Sequence, residues 1–469
     1  MALWSSSDAA EATGGTPHGK AWTANGVSID TRTLKPGDLF VALKDIRDGH
    51  EFVADALAKG AAAALVSYVP DGLASDAPLL VVDDVLVGLE CLGRAARART
   101  GARVIGVTGS AGKTSTKEML LTALSGQGAT HASVASYNNH WGVPLTLARM
   151  PAATDFAIIE MGMSNPGEIA PLSKMARPHV AMITTIAAAH LEAFDNIEGI
   201  ASEKADILVG LEPGGVAILP GDLPTSPILI AAAEAKADTV TLFGAGESCN
   251  VRLLRSHIEN GRTFADVVLA GTPRNFSLGA IGDHFARNAL AVVAAATAAG
   301  ADLQTTLDAL AKWSAPGGRG ARDVVSLPDG GQLALIDDAF NANPASVDAA
   351  LQVLSVTDPA SPDGAKVVVL GDMLELGPTE MDLHRAIAHH AAMSGIAKVH
   401  CVGPRMRALW DVLPEGQRGK WAEKAEDLVP EAASLASAGD VLLIKGSKSS
   451  RVSLIVDAIR KLGHPPAEL

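Results

Sequence analysis

Residues 104–116 read Val-Ile-Gly-Val-Thr-Gly-Ser-Ala-Gly-Lys-Thr-Ser-Thr, a run whose types and spacing suit a phosphate chain. A short apolar stretch, a loop punctuated by Gly109 and Gly112, and a helix-forming stretch from Lys113 to Leu124 follow one another. The glycines let the backbone bend tightly and turn its N–H groups inward. The helix that follows adds unpaired N–H groups and the positive end of its dipole. Lys113 can reach β- and γ-phosphates, and the Thr114 hydroxyl can ligate the accompanying Mg²⁺. The common phosphate loop has a glycine where Val107 stands; this chain carries the shorter form Gly-x-x-Gly-Lys-Thr. A glycine-rich turn with a surface lysine is the plain alternative.

Five further groups could act with that loop. Glu160 ends the apolar run Phe156-Ala-Ile-Ile-Glu, one unit after the loop, where a metal-holding acid belongs. A helix cap or surface acid is its rival reading. His190 follows another apolar run, and neutral imidazole can ligate a divalent ion, although a lone histidine is more often structural. Lys204, in Ile200-Ala-Ser-Glu-Lys-Ala-Asp, reads by itself as a solvated helix lysine. His284 and Asn288 open an alanine-rich helix four apart, so they share a face, and the Asn288 amide suits the edge of an adenine. There the alternative is a helix start capped by Asp283. Asp338 ends Leu335-Ile-Asp-Asp before Asn343-Pro344, where acids commonly hold a ribose hydroxyl and a plain turn is the rival.

These groups need sheets to hold them. At 469 residues the chain is too long for one core. Aromatic residues make up 4%, so alanine, valine and leucine must build the interior. The pattern predicts an α/β protein of three domains. Residues 1–100 form a small N-terminal α/β domain, with strands at 39–43, 63–66 and 79–82 and helices at 52–59 and 86–99. Residues 101–317 form a central P-loop domain on a mostly parallel sheet, with strands at 104–108, 156–161, 180–184, 216–219 and 239–243. A β-rich stretch at 250–280 and a helix at 284–299 complete it. A glycine- and proline-rich connector from Trp313 to Arg322 leads to a C-terminal Rossmann-like, doubly wound domain at 318–469. Its strands are predicted at 333–337, 366–370, 398–402 and 440–444, and its helices at 344–355, 379–394 and 450–461.

A net charge of −14 argues against sequence-independent nucleic-acid binding, which relies on clustered Lys and Arg. Cys91, Cys249 and Cys401 lie far apart at no metal-type spacing, as small hydrophobes in a reducing compartment do. The N-terminus lacks the basic and apolar regions of a signal peptide, and the uncharged stretch Ala289 to Ala301 is too short to span a bilayer. A cytoplasmic protein without membrane insertion is expected, acting as a monomer.

Taken in this order, the motifs resemble those of the Mur ligases, from about Ser28 to about Arg451. Tyr137-Asn-Asn-His-Trp-Gly-Val-Pro, Glu160-Met-Gly-Met-Ser-Asn-Pro-Gly-Glu and Asp337-Asp-Ala-Phe-Asn-Ala-Asn-Pro point to the branch that uses D-alanyl-D-alanine. The resemblance implies an ATP-dependent ligase that joins this dipeptide to UDP-N-acetylmuramoyl-tripeptide through an acyl phosphate, in peptidoglycan precursor synthesis. It implies that Thr108, Gly109, Ser110, Ala111, Gly112, Lys113 and Thr114 hold the ATP phosphates. Thr114 and Glu160 would ligate one Mg²⁺ and His190 a second. Lys204 would react with CO₂ to form a metal-ligating carbamate, against its plain reading. His284 and Asn288 would meet adenine, Asp338 the ribose, and Arg319 the γ-phosphate. Thr31 and Arg32 would seat the uridine diphosphate, Asn138 and Asn139 would line the muramoyl-peptide channel, and Lys445 and Ser447 would lie near the dipeptide. Two departures stand out: Asp45 where many relatives have glycine, and Phe340 where many have tyrosine. A folylpolyglutamate synthase, against which the Asp30-Thr-Arg unit argues, and a nucleotide-binding scaffold without turnover are the alternatives.

Overall fold

The computed structural model describes residues 2–134, 136–327 and 330–463, and its strands fall into four sheets. In the N-terminal region a five-stranded sheet runs Thr16–His18, Leu79–Val81, Ala63–Val66, Asp38–Val41, Gly26–Ser28. Only its first pairing is antiparallel. The helix Val85–Ala98 begins where the Asp84 carboxylate accepts the Val87 N–H at 2.9 Å. It crosses the helix Gly142–Ala148 closely enough that a Cβ on Gly93 would lie 3.0 Å from the Pro144 carbonyl oxygen. Arg97, buried on the same helix, donates to the carbonyls of Ala176 and Arg177 at 2.8 Å each. The N-terminal unit is thereby fastened to the central one.

The central sheet has nine strands, with Arg103–Thr108 between Val180–Ile183 and Phe156–Glu160. It is parallel from Thr130–Ala132 across to Val251–Glu259, then ends in the antiparallel strands Arg262–Leu269 and Thr272–Leu278. Phe156–Glu160 and Val180–Ile183 are buried along their whole length, as parallel strands covered on both faces must be. One face packs against the helices Lys113–Ser125 and Asp283–Ala298, the other against Ile169–Ala176 and Ile197–Ala205. Alanine dominates the buried face of Asp283–Ala298, so a core poor in aromatics closes by near approach of backbones.

The C-terminal sheet runs Ala321–Ser326, Gln332–Asp338, Val441–Lys445, Lys366–Gly371, Lys398–Val402, Arg418–Ala422. Its first pairing is antiparallel and the rest are parallel. Three local expectations fail here. The helix predicted at 379–394 is Glu380–Ala386 followed by two single-turn 3-10 segments. His390 breaks it, adopting extended backbone while its Nδ1 accepts the Ala392 N–H at 3.1 Å. The helix predicted from 450 begins at Ser453, because Arg451 takes a positive φ of 56°. Arg322, read as connector, lies in a strand. The three cysteines are free, and no helix among the described residues is long and apolar enough to cross a membrane.

Candidate active site

The strand Arg103–Thr108 ends beneath the loop, and the helix Lys113–Ser125 starts without a side-chain cap, leaving its first N–H groups for an anion. The shape of the loop demands both glycines. Gly109 has φ 150°, and a Cβ there would lie 1.9 Å from Thr184 Oγ1. Gly112 has φ 80°, and a Cβ there would lie 2.8 Å from Asn288 Nδ2. Lys113 folds back to donate to the Gly109 carbonyl at 2.6 Å. Burial pushes its ammonium below the usual range; the Glu160 charge opposes that fall and Arg319 adds to it.

Glu160 stands beside this loop, 1% exposed. Its Oε1 accepts from Asn138 Nδ2 at 2.8 Å and from the Thr114 hydroxyl at 3.3 Å, while Oε2 is buried without a partner. Arg319 reaches in from the connector. Its Nη2 donates to Thr114 Oγ1 at 3.2 Å, and its Nε is also buried without a partner. Thr108 Oγ1 and Ser110 Oγ share that condition. Each such atom costs about 1–3 kcal/mol if nothing ever binds it, so their concentration here marks a place shaped for a charged ligand.

Ser110, Glu160 and Arg319 open onto a cleft of about 810 Å³ between the central and C-terminal sheets. That is the size of a site for a nucleotide and part of a second substrate. Ser110 to Thr114, Asn138, Asn139, Glu160, His190, His284, Asn288, Arg319, Asp338, Lys445 and Ser447 all line it. Asn139 also steadies its own loop, its Oδ1 accepting the Gly142 N–H at 2.9 Å. Burial takes the His284 imidazole down to about 4, with the Lys445 charge adding to the fall. Asp283 does not cap the helix it begins; it accepts from the Ser256 hydroxyl at 2.8 Å.

The C-terminal wall is more self-engaged than its residue types suggest. Lys445, 1% exposed, donates to Asp338 Oδ2 at 2.7 Å and to the Asn341 carbonyl at 3.0 Å. Burial pushes the Asp338 carboxyl up, against the pull of Lys445. Ser447 Oγ accepts the Leu374 N–H at 3.0 Å and donates to the Ala342 carbonyl at 3.3 Å. Lys445 and Ser447 therefore bind three loops together instead of holding their polar groups free.

Other predicted residues lie off the cleft wall. Thr108 and Gly109 sit behind the loop that they shape. Lys204 is 1% exposed on the helix Ile197–Ala205. Its ammonium is pushed well below the usual range, first by burial and then by the Lys113 charge, against the Glu203 carboxylate. Glu203 itself accepts the N–H groups of Gly167 and Ile169 at 2.7 and 2.9 Å. Thr31 and Arg32 belong to the N-terminal unit, where Arg32 Nη2 pairs with Asp30 Oδ2 at 2.6 Å.

Two residues that join the walls of the cleft were given no site role by the sequence. Asn343 donates to the Ser110 carbonyl at 3.1 Å, so the C-terminal unit touches the phosphate loop directly. Its signal was an amide just before the proline that opens a helix. Glu375 pairs with His190 across 185 positions, and nothing local marks it.

A family model of the Mur ligase middle domain matches residues 107–296, and one of the Mur ligase glutamate ligase domain matches residues 322–448. The UDP-N-acetylmuramoyl-tripeptide–D-alanyl-D-alanine ligase of Bacillus subtilis (strain 168) is 35% identical over 441 residues, 92% of each chain. The chain belongs to the Mur ligase family. The ligase of the same name from Escherichia coli (strain K12) is 34% identical over 445 residues, 94% of this chain and 95% of its own. A crystal structure of MurF from Acinetobacter baumannii matches with a TM-score of 0.83 at 28% identity, covering 98% of this chain and 99% of its own. In this Mur ligase the three large sheets follow one another along the chain, in keeping with the predicted three-domain α/β plan.

Proposed function

We propose that this Mur ligase joins D-alanyl-D-alanine to UDP-N-acetylmuramoyl-tripeptide with hydrolysis of ATP to ADP and phosphate, in peptidoglycan precursor synthesis. The observation that carries this reading is the convergence of the phosphate loop, Glu160 and Arg319 on one cleft, in a chain that aligns over 92% of its length with a ligase of that name. The terminal carboxylate of the tripeptide attacks the γ-phosphorus, giving an acyl phosphate and ADP. The dipeptide amine then attacks the acyl carbon, and phosphate leaves. Phosphoryl transfer asks mainly for positioning and charge neutralisation, which Lys113 and Arg319 are placed to supply.

The donor set fits Mg²⁺, which takes one or two carboxylates and otherwise phosphate oxygens and water. Supporting this are the partnerless Glu160 Oε2 and the adjoining Thr114 hydroxyl. Thr114 and Glu160 would hold one ion and His190 a second, and the ions would neutralise charge on the transferring phosphoryl group. Burial, with the Lys113 charge beside it, pushes the Lys204 ammonium well below its ordinary range, which favours the neutral amine that reacts with CO₂. Its nitrogen would bond the carbon and release a proton, leaving an anionic carbamate able to ligate metal. His284 and Asn288 would meet adenine and Asp338 the ribose. Thr31 and Arg32 would seat the uridine diphosphate, with Asn138 and Asn139 along the peptide channel. The domain boundaries near 100 and 317 would let the C-terminal unit close on the cleft.

The test is phosphate release from ATP, Mg²⁺ and UDP-muramoyl-tripeptide, with and without D-alanyl-D-alanine. Release that ignores the dipeptide sinks the reading.

A further inference from the structure

His190 and Glu375 face each other from the central and C-terminal units, and both hold a left-handed backbone, with φ 60° and 62°. For residues with a side chain that conformation costs about 1–3 kcal/mol each, and it persists where the surroundings impose it. His190 Nδ1 is hydrogen-bonded to Glu375 Oε2. Beside that bond the Glu192 N–H donates to the Glu375 carbonyl at 3.2 Å. A Cβ on Gly377 would lie 3.4 Å from Glu192 Cα, so the two segments meet backbone to backbone. Both His190 and Glu375 line the catalytic cleft. The contact is thus a further bridge between the units, separate from the connector that carries Arg319 and from the Asn343 bond to the phosphate loop.

We propose that Glu375 is a positioning residue for His190, supplied by the C-terminal unit. A neutral imidazole has one donor and one acceptor nitrogen. With the carboxylate of Glu375 at Nδ1, the proton stays on Nδ1 and Nε2 is the nitrogen left with a lone pair. The ring is held in one orientation, and it is held only while the C-terminal unit is docked. Docking therefore completes the histidine's part of a cation site that the central unit alone leaves loose. The paired left-handed residues serve this end: each points its side chain at the other across the seam, just ahead of a short 3-10 turn. This rests on the reading of His190 as a divalent-cation ligand.

The probe is Mn²⁺, counted by electron paramagnetic resonance on the full chain with a non-hydrolysable ATP analogue. The wild type is expected to bind two ions. In Glu375→Ala the weaker site should lose about ten- to a hundredfold in affinity while the other is unchanged. Glu375→Gln, which keeps length and an acceptor but not the charge, should lose less. His190→Ala should weaken the same site, and the double variant should lose no more than His190→Ala alone. Unchanged affinity at the first site reports that the variants are folded. If His190→Ala weakens the site and both Glu375 variants leave it intact, the positioning role is overturned and the ligand reading stands. If none of them moves it, both fall.

Discussion

The guanidinium of Arg319 lies 4.0 Å over the ring of Phe340 while its Nη2 reaches Thr114 Oγ1 at 3.2 Å. One cation–π contact thus aims an arginine from the connector at the head of the phosphate loop. Lys448 approaches the same ring at 5.9 Å. The contact uses the ring face, so the hydroxyl that a tyrosine would add is not needed for it.

Phe340→Tyr should accordingly stay within about twofold of wild-type kcat. Phe340→Leu, which keeps bulk but not the π face, should lose about three- to tenfold, the equivalent of about 0.5–1.5 kcal/mol. Steady-state phosphate release separates the two.

Glu160 holds its neighbours through Oε1 and leaves Oε2 bare. Glu160→Gln preserves shape but removes the charge. We expect turnover to fall about a hundredfold or more, with a raised Mg²⁺ requirement. A chelator should stop the wild type and added Mg²⁺ restore it. A Mg²⁺ dependence unchanged in the variant would place the ion elsewhere.

Arg32 sits exposed on the N-terminal unit, outside the lining of the main cleft, and pairs with Asp30. Arg32→Ala should raise KM for the UDP-linked substrate about tenfold and leave KM for ATP alone. Initial rates with each substrate varied in turn decide it.

His400 is 4% exposed, with Nδ1 accepting the Lys420 N–H at 3.0 Å and Nε2 donating to the Leu435 carbonyl at 2.9 Å. Burial takes it down to about 4, below its ordinary 6.5. The unfolded chain therefore binds more protons between those values, so stability rises with pH across that window. The penalty is absent above about 6.5, grows as pH falls, and is complete below about 4, on the order of 3 kcal/mol. Urea unfolding from pH 7 to 4 should show this slope, and His400→Gln should flatten it.

The phosphate loop, the carboxylate that ends its neighbouring strand and the helix opened by His284 were legible because each is local. A strand–loop–helix and its glycines are written in adjacent residues, and burial on both faces writes parallel strands as apolar runs. The same local signals located the connector with its glycines, Gly318 and Gly320, at φ 73° and 93°. Local pattern misled where a side chain captured the backbone, as His390 does in the broken helix.

The amino-acid sequence by itself thus determined the α/β plan, the shortened phosphate loop and the residue types at the cleft. Tertiary structure alone decided which of those groups stay free. Lys445 and Ser447 are spent on holding loops, whereas Glu160 Oε2, Thr108 and Ser110 keep unpaired atoms. It also paired His190 with Glu375 and seated Arg319 on Phe340. The reason is that hydrogen-bond satisfaction, desolvation and ring contact depend on distances in space, which the order of residues along the chain does not contain.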